Sequence, residues 1–124
     1  MTKNIKDRKA IFQELLAIFK DKVEDRDGTL YERLYEELND SDCLDKEYHE
    51  HIKILSDKYS PGSDYSYDVI IHHVNEFSFD ECCSMLTFII RAERWSDGWF
   101  NECLANGDIY RLLSNAYELI YQES

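Results

Sequence analysis

The sequence predicts an all-α fold: an irregular bundle of six to seven helices forming a single domain over residues 1–124. Three observations carry this. Apolar residues recur at three- and four-residue spacings along most of the chain, the mark of one buried helix face. Capping residues precede several of these stretches. One Pro and four Gly leave little chain for hairpins, and no segment alternates with period two for long enough to make a strand. Val69 to His72 comes nearest, and it lies inside a helical pattern.

From Asn4 to Val23, apolar Ile5, Phe12, Leu15, Leu16, Phe19 and Val23 trace one face of a long amphipathic helix, which Gly28 closes. Thr29-Leu30-Tyr31-Glu32 reads as a capping box that opens a second helix ending near Asn39. A third starts after Ser41 or Asp42 and carries Leu44, Tyr48, Ile52, Leu55 and Tyr59, until Pro61-Gly62 breaks it. Ser63 to Ser66 offer caps for a fourth, with Tyr67, Ile70, Ile71 and Val74 inward. Ser78 to Glu81 is a second capping box, with Phe77 as its staple, opening a fifth helix through Arg94 that buries Cys82, Met85, Leu86, Ile89 and Ile90. Ser96-Asp97-Gly98 makes a turn. A short helix follows from Trp99 to Ala105 and stops at Asn106-Gly107. Asp108 then caps a last helix with Ile109, Leu112, Leu113, Leu119 and Ile120 inward.

At 124 residues, 44% hydrophobic and 14% aromatic, the chain can hold a core of its own and is no disordered segment. Met1 to Lys9 is charged and lacks the apolar stretch of a signal peptide, and no apolar run approaches the ~20 residues that span a bilayer. The expected location is the cytoplasm, with no membrane contact. The four cysteines, Cys43, Cys82, Cys83 and Cys103, fit reduced thiols buried as small apolar residues.

The net charge is −12, and it is uneven. Between Glu24 and Glu50, eleven acids face only Arg26, Arg33 and Lys46, and between Pro61 and Ile90 five acids face no Lys or Arg. Such a field repels nucleic acid and anionic membranes and draws basic proteins. Tyrosine, with nine copies, often sits beside these acids and supplies contact area at low entropic cost. The candidate docking face therefore runs through Glu32, Tyr35, Glu36, Asp40, Asp42, Glu47 and Glu50, with Asp64 and Asp68 at its edge.

No catalytic or nucleotide motif stands out. His49 and His51 are two apart and do not share a helix face, and neither they nor His72 and His73 show the i, i+4 spacing of helical zinc ligands. No metal and no cofactor is expected. Cys43 or Cys103 as a nucleophile needs a histidine from elsewhere in the fold.

The most distinctive string is Arg91-Ala92-Glu93-Arg94-Trp95-Ser96-Asp97-Gly98-Trp99. Arg91 and Arg94 lie one turn apart where a helix ends and cations offset its dipole; Glu93, Asp97 or Glu102 can pair with them, and Trp95 and Trp99 can wedge the turn. This reads as a structural corner. From about Leu86 to Leu119 the chain resembles a bacterial family of uncharacterised domains. Its mark is a helix ending in R-x-E-R-aromatic-x-D/E-G, matched here by Arg91, Glu93, Arg94, Trp95, Asp97 and Gly98, with Gly107 at the later stop. The resemblance implies the fold of this corner and no activity. In size, acidity and expected location, the whole chain is similar to the immunity proteins of contact-dependent inhibition and colicin-type systems. That likeness implies an inhibitor that binds a basic nuclease toxin and covers its nucleic-acid-binding surface. The alternatives are a phage or mobile-element protein that imitates DNA against a host defence enzyme, an enzyme with a site near Arg91, Glu93 and Arg94, and a homo-oligomeric assembly factor.

Overall fold

The computed structural model describes residues 7–59 and 67–123. They form seven α-helices: α1 (Arg8–Phe19), α2 (Thr29–Asp40), α3 (Tyr48–Tyr59), α4 (Tyr67–Ile71), α5 (Phe79–Ala92), α6 (Trp99–Ala105) and α7 (Asp108–Glu123). A 3-10 turn, Val74–Glu76, links α4 to α5, and there is no strand among the described residues.

α5 occupies the middle, packed against α3, α6 and α7, while α1 lies along α7. The position follows from its sequence. Cys82, Cys83, Met85, Leu86, Ile89, Ile90 and Ala92 are buried around most of its circumference, and a helix apolar on so many sides has to be enclosed. Its polar interruptions, Ser84 and Thr87, bond back to the carbonyls of Asp80 and Cys83 at 3.0 and 2.8 Å, so their hydroxyls are satisfied inside the core. Phe12, Leu15 and Phe19 of α1, Leu34 and Leu38 of α2, Ile52 and Leu55 of α3, and Ile109, Leu112, Leu113 and Ala116 of α7 complete one continuous core. Each fully buried side chain of this size contributes about 1.5–3 kcal/mol through removal from water.

Most differences from the sequence reading lie before Tyr48. The first helix stops at Phe19: Lys20 has ψ 126, Asp21 takes φ 63, and Val23 is 63% exposed. The acidic, Gly-terminated stretch after it offers no further apolar face. Thr29 is the first helical residue of α2 and not its cap. Gly28, at φ 80, precedes it without a side-chain bond, and Thr29 Oγ1 instead donates to Asp27. The third helix begins at Tyr48, because Asp42 adopts φ 59 and the chain turns through Cys43 and Leu44 before it can wind. Ile5, Asp64, the Pro61-Gly62 break and the caps at residues 63–66 lie outside the described residues. Beyond them the fourth stretch is shorter than its pattern: α4 ends at Ile71, and Val74 is buried from the 3-10 turn.

Later boundaries follow the local signals more closely. Ser78 accepts the Glu81 amide at 3.1 Å while Glu81 accepts the Ser78 amide at 2.7 Å, a complete capping box over a buried Phe77. α5 ends at Ala92, two residues short of Arg94. α6 has the bounds its sequence predicts. Gly107, at φ 81, carries the turn into α7, whose first residue is Asp108. The Asp108 carboxylate accepts from the Tyr67 hydroxyl at 2.9 Å and pairs with Arg111, in place of capping.

Candidate functional site

Two places have the ingredients of a site: the acidic flank of α2 and α3, and a cavity between α3 and α5.

On α2, Glu32, Tyr35, Glu36 and Asp40 follow one another at i, i+3, i+4 and i+8, opposite the buried Leu34 and Leu38. Glu32 and Glu36 are exposed, while Tyr35 is half-buried beneath the Arg91 guanidinium, 5.7 Å from the ring centre. Asp42 is exposed in its left-handed turn, Glu47 and Glu50 are exposed at the start of α3, and Asp68 is exposed on α4, which packs against α3. Asp64 lies outside the described residues.

Four of the cations pair with other acids. Arg33 pairs with Glu14 and, at 3.5 Å, with Glu37; Arg26 with Glu24 at 3.1 Å; Lys58 with Glu81 at 3.6 Å; and Arg111 with Asp108. Among the described residues, Glu32, Glu36, Glu47 and Glu50 form no salt bridge to Lys or Arg. The His51 pKa is raised chiefly by its hydrogen bond to Asp45, with smaller contributions from the charges of Glu47 and Glu50.

At the corner after α5, Glu93 is the organising residue. Its two carboxylate oxygens accept the amides of Gly98 at 3.1 Å and Phe100 at 3.0 Å, which holds the turn and the first amides of α6. Arg94 and Asp97 are exposed. Gly98 has φ 88, and nothing lies within 4 Å of where a Cβ would stand. Trp99 packs edge-on against Tyr67 at 4.8 Å and near Phe88 at 6.3 Å. Trp95 does not wedge the turn: it is 68% exposed. With both oxygens of Glu93 held by backbone amides, the Arg91, Glu93, Arg94 trio presents two cations and no free carboxylate.

The cavity, of about 310 Å³, opens between the Asp42–Asp45 loop, α3 and the first turns of α5. Cys43, Cys83, Asp45, His51 and Ser84 line it, with Arg8 and the exposed Ile54 at its edge. Asp45 fastens the loop to α5. Its amide donates to Thr87 Oγ1 at 3.0 Å, and its carboxylate accepts from Ser84 Oγ and faces His51 Nδ1, both at 2.6 Å, and accepts the Glu47 amide at 3.0 Å. Burial pushes the Asp45 pKa up, but the bonds from Ser84, His51 and the Glu47 amide outweigh it and leave the carboxyl below its ordinary value. The same contact holds the His51 pKa above its usual value.

The four thiols differ sharply. The Cys43 thiol donates to the Ser41 carbonyl at 3.6 Å; interaction with Cys83 draws the Cys43 pKa down despite burial, with smaller help from Ser41 and the Arg8 guanidinium, while the same interaction and burial push Cys83 far up. Cys82 and Cys103 are pushed up to about 12, mainly by burial. Cys82 points the other way, toward Asn115 Nδ2 at 3.4 Å, and Cys103 lies 3.6 Å from the Tyr67 hydroxyl.

Sequence reasoning weighed Cys43 without a histidine partner. The fold puts His51 in the same cavity, eight positions later, and fixes it through Asp45. The signal available was weak: a Cys, an Asp two residues on and a His six further. Among the described residues no three His, Cys, Asp or Glu side chains converge as a metal-binding group, and no helix is long and apolar enough to cross a membrane.

No curated protein and no solved structure matches the chain. Residues 68–122 match a family of unknown function, DUF6508. The match runs from α4 to the end of α7 and takes in the corner at Glu93 and the helix that carries Cys83. α1, α2, α3 and the loop bearing Cys43 and Asp45 lie outside it.

Proposed function

We propose that this chain is an acidic binding protein whose α2–α3 flank docks onto a cationic protein surface, and that its partner is a nuclease toxin that it neutralises as an immunity protein does. One observation carries the reading: Glu32 and Glu36 on α2, Glu47 in the turn before α3 and Glu50 on α3 are all exposed, and among the described residues none of them is in a salt bridge with Lys or Arg. A nuclease needs Lys and Arg to hold phosphates, and exposed carboxylates without a salt-bridge partner are complementary to that surface. Tyr35, with its ring already oriented by Arg91, adds apolar contact within the same flank.

The test is capture from the source cell. Wild-type chain should retain a strongly basic protein, and reversing Glu32, Glu36 and Glu47 to Lys should abolish the capture while the helical signal stays unchanged. Association should slow steeply with salt, as the Debye length falls from ~30 Å at 0.01 M to ~8 Å at 0.15 M. Equal capture by both chains overturns the assignment of this face.

A further inference from the structure

We propose that Cys43 and Cys83 form a reactive dithiol that reduces hydroperoxides entering the α3–α5 cavity and closes into an intramolecular disulfide. The inference does not depend on the docking surface.

Four features of the structure support it. Cys43 and Cys83 interact with each other more strongly than with any other charged or polar group, Cys43 being favoured as thiolate and Cys83 as thiol. Both line the same cavity, which is large enough for a small peroxide and opens to solvent beside Ile54, 61% exposed, and the exposed Asp42 and Asp80. Cys43 and Cys83 are themselves only 4% and 6% exposed, so the cavity is their route to a reagent. Finally, Cys43 sits in the loop after Asp42 and Cys83 in α5, so a bridge between them would tie that loop to the central helix. Arg8 at the rim supplies positive charge, and the interaction with Cys83 favours the Cys43 thiolate, the form that attacks peroxides. The neighbouring Cys82 cannot substitute for Cys83, since it faces Asn115 of α7.

The chemistry balances. The Cys43 thiolate attacks the distal oxygen of the hydroperoxide; the S–O bond forms as the O–O bond breaks, and the leaving alkoxide takes a proton from water to become an alcohol. Cys83 sulfur then attacks the Cys43 sulfenic acid. The S–S bond forms, the S–O bond breaks, and hydroxide leaves with the Cys83 proton as water. The two electrons that reduce the peroxide come from the two thiols.

The experiment uses the full chain and hydrogen peroxide as probe, followed by denaturation, alkylation and a non-reducing peptide map. The expected product is two hydrogens lighter, with the Cys43 and Cys83 peptides joined and Cys82 and Cys103 recovered as alkylated thiols. On the untreated native chain, iodoacetamide should label Cys43 at least about tenfold faster than Cys82 or Cys103, as thiolate content dictates. Cys83→Ser should halt the reaction at a Cys43 sulfenic acid that dimedone traps. A bridge through Cys82 or between chains, or Cys43 labelled no faster than the other thiols in the wild-type chain, overturns the proposal whether or not the variant folds.

Discussion

The stretch from Asp21 to Glu47 and the stretch from Ser78 to Ala116 both have to start helices and satisfy their free amides, and they do it differently. In the second, the acceptors lie close by in sequence: Ser78 and Glu81 cap each other, and Glu93 reaches five and seven residues ahead to Gly98 and Phe100. In the first, Asp25 crosses Gly28 to accept the amides of Leu30 and Tyr31 at 3.1 and 2.9 Å, and its own amide is held by Asn101 of α6 at 2.6 Å. Asp45 does the same for the start of α3 while tied to Ser84 and Thr87 of α5. The lesson concerns acidic segments. Part of the charge between Glu24 and Glu50 is structural, fastening loops to distant helices, and only the remainder is free for a partner.

The comparison is sharpest where a variant removes core from the second region. Leu86, fully buried in the central helix, should cost about 3 kcal/mol when changed to Ala, from lost transfer energy and the cavity left behind. Denaturant unfolding should show this as a lower midpoint with an unchanged slope. A loss under about 1 kcal/mol means that α5 is not enclosed as described.

Next come the two carboxylates that serve backbone amides. Glu93→Ala and Asp25→Ala each leave two amides without their charged acceptor, and each should cost about 2 kcal/mol. Glu36→Ala, beside them in composition but without such a bond, should change stability by less than about 0.5 kcal/mol. Equal, negligible costs for Asp25 and Glu36 would break the division between structural and free acids.

How much of this was legible follows the same line. The capping box at Ser78, the bounds of α6 and the inward residues of α5 can be read directly, because cap, staple and period sit within one window of sequence. The early end of α1, the role of Asp25 and the late start of α3 cannot. The last two depend on Asn101, Ser84 and Thr87, residues 39 to 76 positions away. The thiol cavity was hidden for the same reason: Cys43 and Cys83 are forty residues apart, and the adjacent Cys82 is the more obvious partner on paper. The acids on α2 were legible as a flank, since helical spacing alone puts Glu32, Tyr35, Glu36 and Asp40 together.

Gly98 tests local geometry without any contact. Its positive φ disfavours any side chain while the space beside it is open, so Gly98→Ala should cost about 1 kcal/mol from backbone strain alone. A much larger loss would point to a steric neighbour that the structure does not place there.

His51 separates charge from packing. Its folded pKa is raised by Asp45, so the stability it adds is fully present below its unfolded value and fades as pH rises through the folded one. Asp45, with its pKa lowered, adds stability above the ordinary carboxylate range and loses it as pH falls through its folded value. The pair therefore matters only between those limits. His51→Gln should cost measurably more near pH 5.5 than near pH 8.5, on either side of the usual histidine range, in thermal melts. A cost that does not vary with pH would leave the ring a packing role only.

The smallest effect belongs to the two tryptophans taken together. Trp99 packs between Tyr67 and Phe88, whereas Trp95, four residues earlier in the same motif, stands 68% exposed. Trp95→Ala should change stability by no more than about 0.5 kcal/mol, while Trp99→Ala should lose several-fold more through its ring contacts. If Trp95→Ala instead destabilises as much as Trp99→Ala, the ring is held by something the isolated chain does not show. A covering partner can be tested directly: the cost would then depend on protein concentration, as it must when burial comes from association and not from folding.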